Sequence, residues 1–229
     1  MSASVLSELL QSSSPSSSHA LAYRLRPMSP APRSLLLLLH GVGGSEHSLA
    51  MLAARADADT LVVLPRGPVA LGPGQYGWFR VAFTAAGPQI VPEQAESSRI
   101  ALIDFIATLQ SQYGIAPERT VIAGFSQGGI MSAGVALTAP EHVAGFGLLS
   151  GRILPEIAPR LAARAQLASL RGFVAHGLYD SKLPLVWAER AQAWLDELGV
   201  AHELRLYAHD HELGAQMQDD FLTWLRAFA

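Results

Sequence analysis

Hydrophobic and polar positions along this chain follow two rhythms in turn. Leu35 to His40 is an almost unbroken apolar run, the pattern of a strand buried on both faces. Thr60–Leu64, Thr120–Phe125, Val143–Leu149, Gly172–His176 and His202–Tyr207 read as further strands. Between them the apolar spacing turns helical. Leu102, Ile106, Leu109 and Tyr113 form one stripe on a helix opened by Pro92 and Glu93. Trp187, Ala191, Trp194 and Leu198 mark a second helix, ended by Gly199. Met217, Phe221, Leu225 and Phe228 mark the last one. Glu46–Ala56, Gln127–Thr138 and residues 160–170 also read as helices.

Strands alternating with helices at this spacing predict an α/β protein, with a mostly parallel central sheet and helices on both faces. Ala20–Arg26 reads as an edge strand, stopped by the Pro-rich Pro27–Pro32. Residues 66–92 carry many Gly and Pro and no clear period. They predict a long irregular excursion of the kind that shapes a binding site. The expected organisation is a flexible lead-in over residues 1–19, Ser-rich from residue 11, and a single α/β domain over 20–229.

Composition narrows the function classes. Half of the 229 residues are hydrophobic and 15% are charged, as expected of a protein with a large core. A net charge of −3 gives no footprint for nucleic acid or an anionic membrane. Cysteine is absent, which removes disulfides, Cys-ligated zinc and a thiol nucleophile. The N-terminal M-S-A-S-V-L-S-E-L-L has no basic region and only a broken apolar run, so no secretory signal and a cytoplasmic location are expected. The run Leu35–Leu39 is too short to cross a bilayer, and no stable membrane insertion is expected.

The chemistry centres on G-F-S-Q-G-G, Gly124 to Gly129. A Gly-Ser turn without chemistry would fit the motif alone. Ser126, however, falls between a strand and a helix, the setting of a nucleophile elbow. There Gly124 and Gly128 let backbones approach, the hydroxyl projects from the sheet, and the helix start offers free N–H groups to an oxyanion. A serine nucleophile needs a base and the base an orienting acid, in the chain order Ser, acid, His for this kind of fold. His209 and His211 lie in the loop after the last strand, at the carboxyl edge of the sheet. His211 is favoured and His209 is the alternative. Asp180, in H-G-L-Y-D-S-K-L-P, is the candidate acid; a turn Asp capping the next helix is its other reading. Asp210, adjacent to His211, is poorly placed to hold that ring. The glycines of H-G-V-G-G, His40 to Gly44, let backbone approach a substrate. The N–H groups of Val42 and Gln127 are the expected oxyanion donors. His40 itself reads as a structural hydrogen-bonding residue.

Together, L-H-G-V-G-G, P-R-G-P at 65–68, G-W-F at 77–79, G-F-S-Q-G-G, S-G at 150–151, H-G-L-Y-D-S-K-L-P and Y-A-H-D-H-E resemble the phospholipase/carboxylesterase family of α/β-hydrolases. That family includes the acyl-protein thioesterases. The resemblance runs over most of residues 35–228. It implies an α/β-hydrolase fold, with Ser126 as nucleophile, Asp180 as acid, His211 as base, and Val42 and Gln127 as oxyanion donors. Trp78 and Phe79 match a segment that helps line the acyl side of the cleft. The sequence departs from the family twice: Asp210 stands where Gly usually precedes the catalytic His, and the loop after His40 lacks an Asp common in the eukaryotic thioesterases.

The expected function is a serine hydrolase for carboxylic esters of short to medium acyl chains, without cofactor or metal. Its partner is a small-molecule ester or thioester, with no nucleic acid and with a homodimer allowed. Trp78, Phe79 and Leu183 are the expected substrate-pocket residues, although packing of the excursion onto the sheet would equally account for Phe79. Thioesterase or lysophospholipase action on long acyl chains is the alternative within the enzyme class. A catalytically inactive binding module on the same fold is the alternative outside it.

Overall fold

The computed structural model describes residues 6–11, 21–27, 31–84 and 87–228. Most of the Ser-rich stretch, Ala20 and residues 28–30 of the Pro-rich segment lie outside the described residues.

Eight strands form the main sheet. In chain order the chain runs through β1 (Leu10–Gln11), β2 (Ala22–Leu25), β3 (Ser34–Leu39), the short helix α1 (Ala50–Ala54) and β4 (Thr60–Pro65). Two hairpins follow, β5 (Val69–Gly72) with β6 (Gln75–Gly77), and β7 (Val81–Thr84) with β8 (Gly87–Ile90). Then come α2 (Pro92–Tyr113), β9 (Thr120–Phe125), α3 (Gln127–Thr138), β10 (Gly145–Leu149), the one-turn α4 (Arg164–Leu167) and β11 (Arg171–Gly177). The chain closes with α5 (Val186–Leu198), β12 (Ala201–Tyr207) and α6 (Ala215–Leu225). The sheet order is β1-β2-β4-β3-β9-β10-β11-β12. All neighbours from β4 to β12 are parallel, and β1 and β2 are antiparallel additions at one edge.

The run S-L-L-L-L-L forms β3 because every position has an apolar destination. Leu35, Leu37 and Leu39 pack on one face with α2, α3 and α5, whereas Leu36 and Leu38 pack on the other with α1 and α6. Alternation across a strand thus serves two cores at once. Helix α3 is buried along nearly its whole length, which its mostly apolar, small-residue composition permits; the Ser132 and Thr138 hydroxyls donate to the Gly128 and Gly134 carbonyls. In α2 the stripe of Leu102, Ile106 and Leu109 is buried, and Gly114 ends the helix at φ 65°. Gly199 ends α5 in the same way at φ 73°.

The structure departs from the expected elements in four places. Residues 6–11, assigned from the sequence to a flexible lead-in, hold Leu6 buried and pair through β1 with β2. The segment read as an edge strand is therefore second from the edge. Residues 66–92 are two small hairpins rather than an irregular excursion; their strands are too short to show a period, and Gly74 and Gly87 turn at φ 69° and 104°. The helix expected over Glu46–Ala56 begins only at Ala50, after a turn. Residues 160–170 give only α4, preceded by a 3₁₀ segment over Pro155–Arg160 that contains Pro159.

Phe221 is fully buried between Phe173 and Trp224, with ring centroids 5.8 and 6.0 Å away. Phe221→Ala is expected to cost about 3–5 kcal/mol. A urea unfolding midpoint close to that of the unsubstituted protein would contradict this packing.

Candidate active site

Three loops at the carboxyl edge of the sheet converge on Ser126. The first is the β9–α3 turn itself. Ser126 holds φ 54° and ψ −117°, outside the regions open to most side chains. Two glycines make this turn possible. A Cβ on Gly128 would collide with the Leu39 carbonyl, and one on Gly124 with the backbone of Gly128. The Ser126 N–H donates to the Leu149 carbonyl (2.8 Å), and its own carbonyl accepts from Ile130 N–H (3.1 Å), fixing the start of α3.

The second and third loops follow β11 and β12 and bring Asp180 and His211 to Ser126. His211 Nδ1–H donates to Asp180 Oδ2 at 2.7 Å, and the Ser126 hydroxyl donates to His211 Nε2 at 2.9 Å. A carboxylate can only accept, so Nδ1 carries the proton and Nε2 is left as an acceptor facing the serine. Asp180 is sealed from solvent. Its Oδ1 accepts from the N–H groups of Lys182 (2.9 Å) and Leu183 (2.7 Å). His176, also buried, lies 3.4 Å from Asp180 Oδ2 and donates from Nε2 to the Leu183 carbonyl at 2.7 Å. The His211 ring packs on Phe125, with centroids 4.9 Å apart.

His209 sits elsewhere. Its ring stacks on Tyr207 at 5.7 Å, and its Nδ1–H donates to the Asp210 carbonyl at 2.8 Å. Asp210 joins the two loops. Its Oδ1 accepts from the N–H groups of Ser181 and His211, both at 2.7 Å, and its Oδ2 accepts from the Ser181 hydroxyl at 3.1 Å. These bonds, those to Ser181 foremost, hold its carboxyl below the usual range. Gly177 lets this contact form, since a Cβ there would meet the His209 and Asp210 carbonyls at 2.5 Å.

The loop Gly41–Gly44 lies against the serine: a Cβ on Gly41 would be 3.4 Å from Ser126 Cβ. Gly43 N–H donates to the Tyr76 carbonyl (2.8 Å), and Tyr76 N–H donates to that of Gly44 (2.9 Å). Among the described residues, no acceptor engages the Val42 N–H or the Gln127 N–H, the latter at the first position of α3. The loop is braced from behind. His40 Nε2 accepts from Gly67 N–H at 2.9 Å, and its Nδ1–H donates to the Gly41 carbonyl at 2.7 Å. Burial pushes the His40 imidazole below its ordinary pKa, toward the neutral form these bonds require. Glu46, buried, takes a two-pronged bond from Arg66, both arms 2.7 Å, and Arg66 lies over the Tyr76 ring at 4.4 Å. The Arg66 hydrogen bonds hold the Glu46 carboxyl down at about 2, against an ordinary value of 4.5.

The expected pocket residues belong to the core instead. Trp78 and Phe79 are fully buried and Leu183 nearly so. The Gln127 side chain clamps the aromatic pair, accepting from Trp78 N–H and donating to the Phe79 carbonyl, each at 2.7 Å. The Trp78 indole N–H donates to the His40 carbonyl at 2.9 Å, and Ser98 Oγ donates to the Trp78 carbonyl at 2.6 Å. Fixed on every polar atom, Trp78 packs the first hairpin onto the sheet. The open cavity beside the site, about 520 Å³, is lined instead by Val42, Leu49, Met51, Leu52, Phe125 and Leu213. Sequence reasoning missed Glu46 and Arg66; the P-R-G-P segment was the signal. It also missed the clamp at Asp210, signalled by a carboxylate where a glycine is usual. Among the described residues, no group of three or more His, Cys, Asp or Glu side chains could hold a metal, and no helix is long and apolar enough to cross a membrane.

A parallel sheet with helices on both faces and a serine at its strand–helix elbow defines an α/β-hydrolase. Comparison with known proteins narrows the class: residues 26–228 match the phospholipase/carboxylesterase family model, and the chain belongs to that family. It is similar to acyl-protein thioesterase 1 of Mycosarcoma maydis, 31% identical over 207 residues, 79% of this chain and 81% of that one. It is also similar to acyl-protein thioesterase 1 of Kluyveromyces lactis, 26% identical over 188 residues, 77% and 82% of the two chains. Among solved structures, esterase PE8 superposes with a TM-score of 0.78 at 26% identity, covering 91% of this chain and 99% of that one. A carboxylesterase from Mesorhizobium loti shares the fold with a TM-score of 0.78 at 21% identity, covering 90% and 94%. The protein is a hydrolase of the esterase or thioesterase type.

Glu46 gives a pH prediction. Its folded pKa of about 2 lies below the ordinary 4.5. The stability it contributes is complete above pH 4.5 and is lost as the pH falls from there through 2. Glu46→Gln should lower stability at pH 7 and flatten the loss across that window, read from Tm against pH. Parallel curves for the two proteins would contradict it.

Proposed function

We propose that this chain cleaves carboxylic esters of short to medium acyl chains through an acyl-enzyme formed on Ser126. The observation that carries this reading is the unbroken hydrogen-bonded line from Ser126 through His211 to Asp180. His211 Nε2 takes the hydroxyl proton as Ser126 Oγ bonds to the acyl carbon, and the carbonyl electron pair moves to oxygen. Asp180 keeps the imidazole in the tautomer that can accept this proton and stabilises the cation that results. The unengaged N–H groups of Val42 and Gln127 are the proposed donors to the oxyanion. The intermediate then collapses. The bond to the leaving oxygen breaks, and His211 returns its proton to that oxygen. Water, deprotonated by the same imidazole, releases the acyl group and restores the hydroxyl.

The cavity beside Val42 and Phe125 is proposed to hold one side of the substrate. Thioesterase or lysophospholipase action on long chains is the second reading, favoured by the relatives named acyl-protein thioesterase 1. The described chain, β1 included, is taken as a single domain acting in the cytoplasm, and the net charge of −3 supports a role without nucleic acid. A homodimer is compatible with this reading.

Ser126→Ala is expected to abolish turnover of p-nitrophenyl esters, and Asp180→Asn to reduce kcat by about 10⁴-fold. Both are read across an acetyl to palmitoyl series. A rate maximum at the long end would favour the second reading. Full activity in either variant, or no turnover of any ester by the unsubstituted protein, would overturn the proposal.

A further inference from the structure

Arg152 stands in the stretch that follows β10, next to Gly151. A Cβ on Gly151 would lie 3.0 Å from the Ser126 carbonyl oxygen, so this backbone rests against the serine turn. Arg152 is only 7% exposed, yet among the described residues nothing accepts a hydrogen bond from its guanidinium and no carboxylate is in ion-pair contact with it. The other buried arginine of the described residues, Arg26, donates to three carbonyls, those of Ala56, Asp57 and Thr60. Arg152 has instead an aromatic face: its guanidinium carbon lies 4.6 Å from the centre of the Trp187 ring. Arg190 lies over the same ring at 5.0 Å, also without an ion pair among the described residues. Trp187 is in the first turn of α5, on the segment that follows Asp180. Arg152 and Trp187 therefore join the stretch beside the serine to the stretch beyond the acid.

A buried arginine is normally paired, because leaving water costs several kcal/mol. One indole compensates only part of that cost, and two guanidinium groups on one ring repel each other. Exposed Glu156 attracts Arg152 without reaching ion-pair distance, and burial still pushes the guanidinium pKa down. The nitrogens of Arg152 are not sealed, unlike Nε of Arg24 and Arg26. A planar fork of donors, buried, unpaired and open to solvent on one side, is complementary to a planar anion with two oxygens.

We infer that Arg152, stacked on Trp187 and aided by Arg190, binds a carboxylate at the non-reacting end of the substrate's acyl group. This inference rests on the esterase reading and sharpens it: the preferred substrates are half-esters of aliphatic dicarboxylic acids. The carboxylate's charge offsets both guanidinium groups. Its two oxygens accept the donors that Arg152 leaves unused.

The test compares p-nitrophenyl hexanoate with the mono-p-nitrophenyl ester of adipic acid, which differs by the terminal carboxylate. The unsubstituted protein should favour the half-ester by about 10- to 100-fold in kcat/KM, mostly through KM. Arg152→Met should bring that ratio near one, and Arg152→Lys, which keeps the charge and loses the fork, should leave an intermediate ratio. Adipate should bind the Ser126→Ala protein in calorimetry, more weakly as salt rises, and not when Arg152→Met is added. Should Arg152→Met fail to fold, Arg190→Ala and Trp187→Leu should each weaken adipate binding. A ratio unaffected by Arg152→Met, tighter binding of inorganic phosphate than of adipate, or preference only for a carboxylate on the leaving group would overturn the inference. Ser126-dependent turnover without anion preference or adipate binding would sink it and leave the esterase reading intact. Adipate binding through Arg152 without turnover of any ester would do the reverse.

Discussion

Ser126 occupies φ 54°, ψ −117°, a conformation that costs a residue with a side chain about 1–3 kcal/mol. That strain persists because the surroundings leave the turn no alternative. Gly124 and Gly128 bring β9, α3 and the end of β3 so close that a methyl group does not fit. The turn sets where the serine oxygen points, where α3 begins, and how near the Gly41–Gly44 loop can come. Asp180, His211 and the Gly41–Gly44 loop are arranged around a position fixed by excluded volume rather than by attraction.

Attraction governs the loops that meet the turn. The Gly41–Gly44 loop has no apolar side chain to anchor it except Val42, which is exposed. It is held by backbone bonds to Tyr76, by the neutral His40 ring, and behind these by the Glu46–Arg66 pair. The loops carrying Asp180 and His211 are joined a second time through Asp210 and Ser181. Gln127 works at two levels. Its backbone N–H opens α3 beside the serine, while its amide side chain fixes Trp78 and Phe79 from within the core. Few polar groups at the site serve one contact only.

The fold was legible because both core faces are written into the strands. Five leucines in β3, too short a run for a helix of usual length, read as a strand with apolar cover on each side, and the stripes of α2, α5 and α6 supply that cover. Ser126, Asp180 and His211 were legible because each follows the end of a strand, and a parallel sheet gathers those ends on one edge. The residue reading favoured His211 and kept His209 as the alternative, and the resemblance also implied His211. What stayed hidden depends on contacts between distant segments. Glu46 and Arg66 are far from each other's local pattern. Trp78 and Phe79 read as pocket residues because an aromatic pair in a Gly/Pro-rich stretch looks exposed. The bonds that bury them come from Gln127, Ser98 and His40, which no local pattern links to them. The hairpins of residues 66–92 were too short for periodicity to reveal.

His211 has a further property, set by where its strand lies. Strand β12 is the outermost strand of the sheet on its side, bonded to β11 alone, and much of it is exposed. Serine and acid hang from interior strands, but the imidazole hangs from the rim. Edge elements open at lower free energy than the centre of a domain. Local opening of this rim would carry His211 away from Ser126 while the core stays intact.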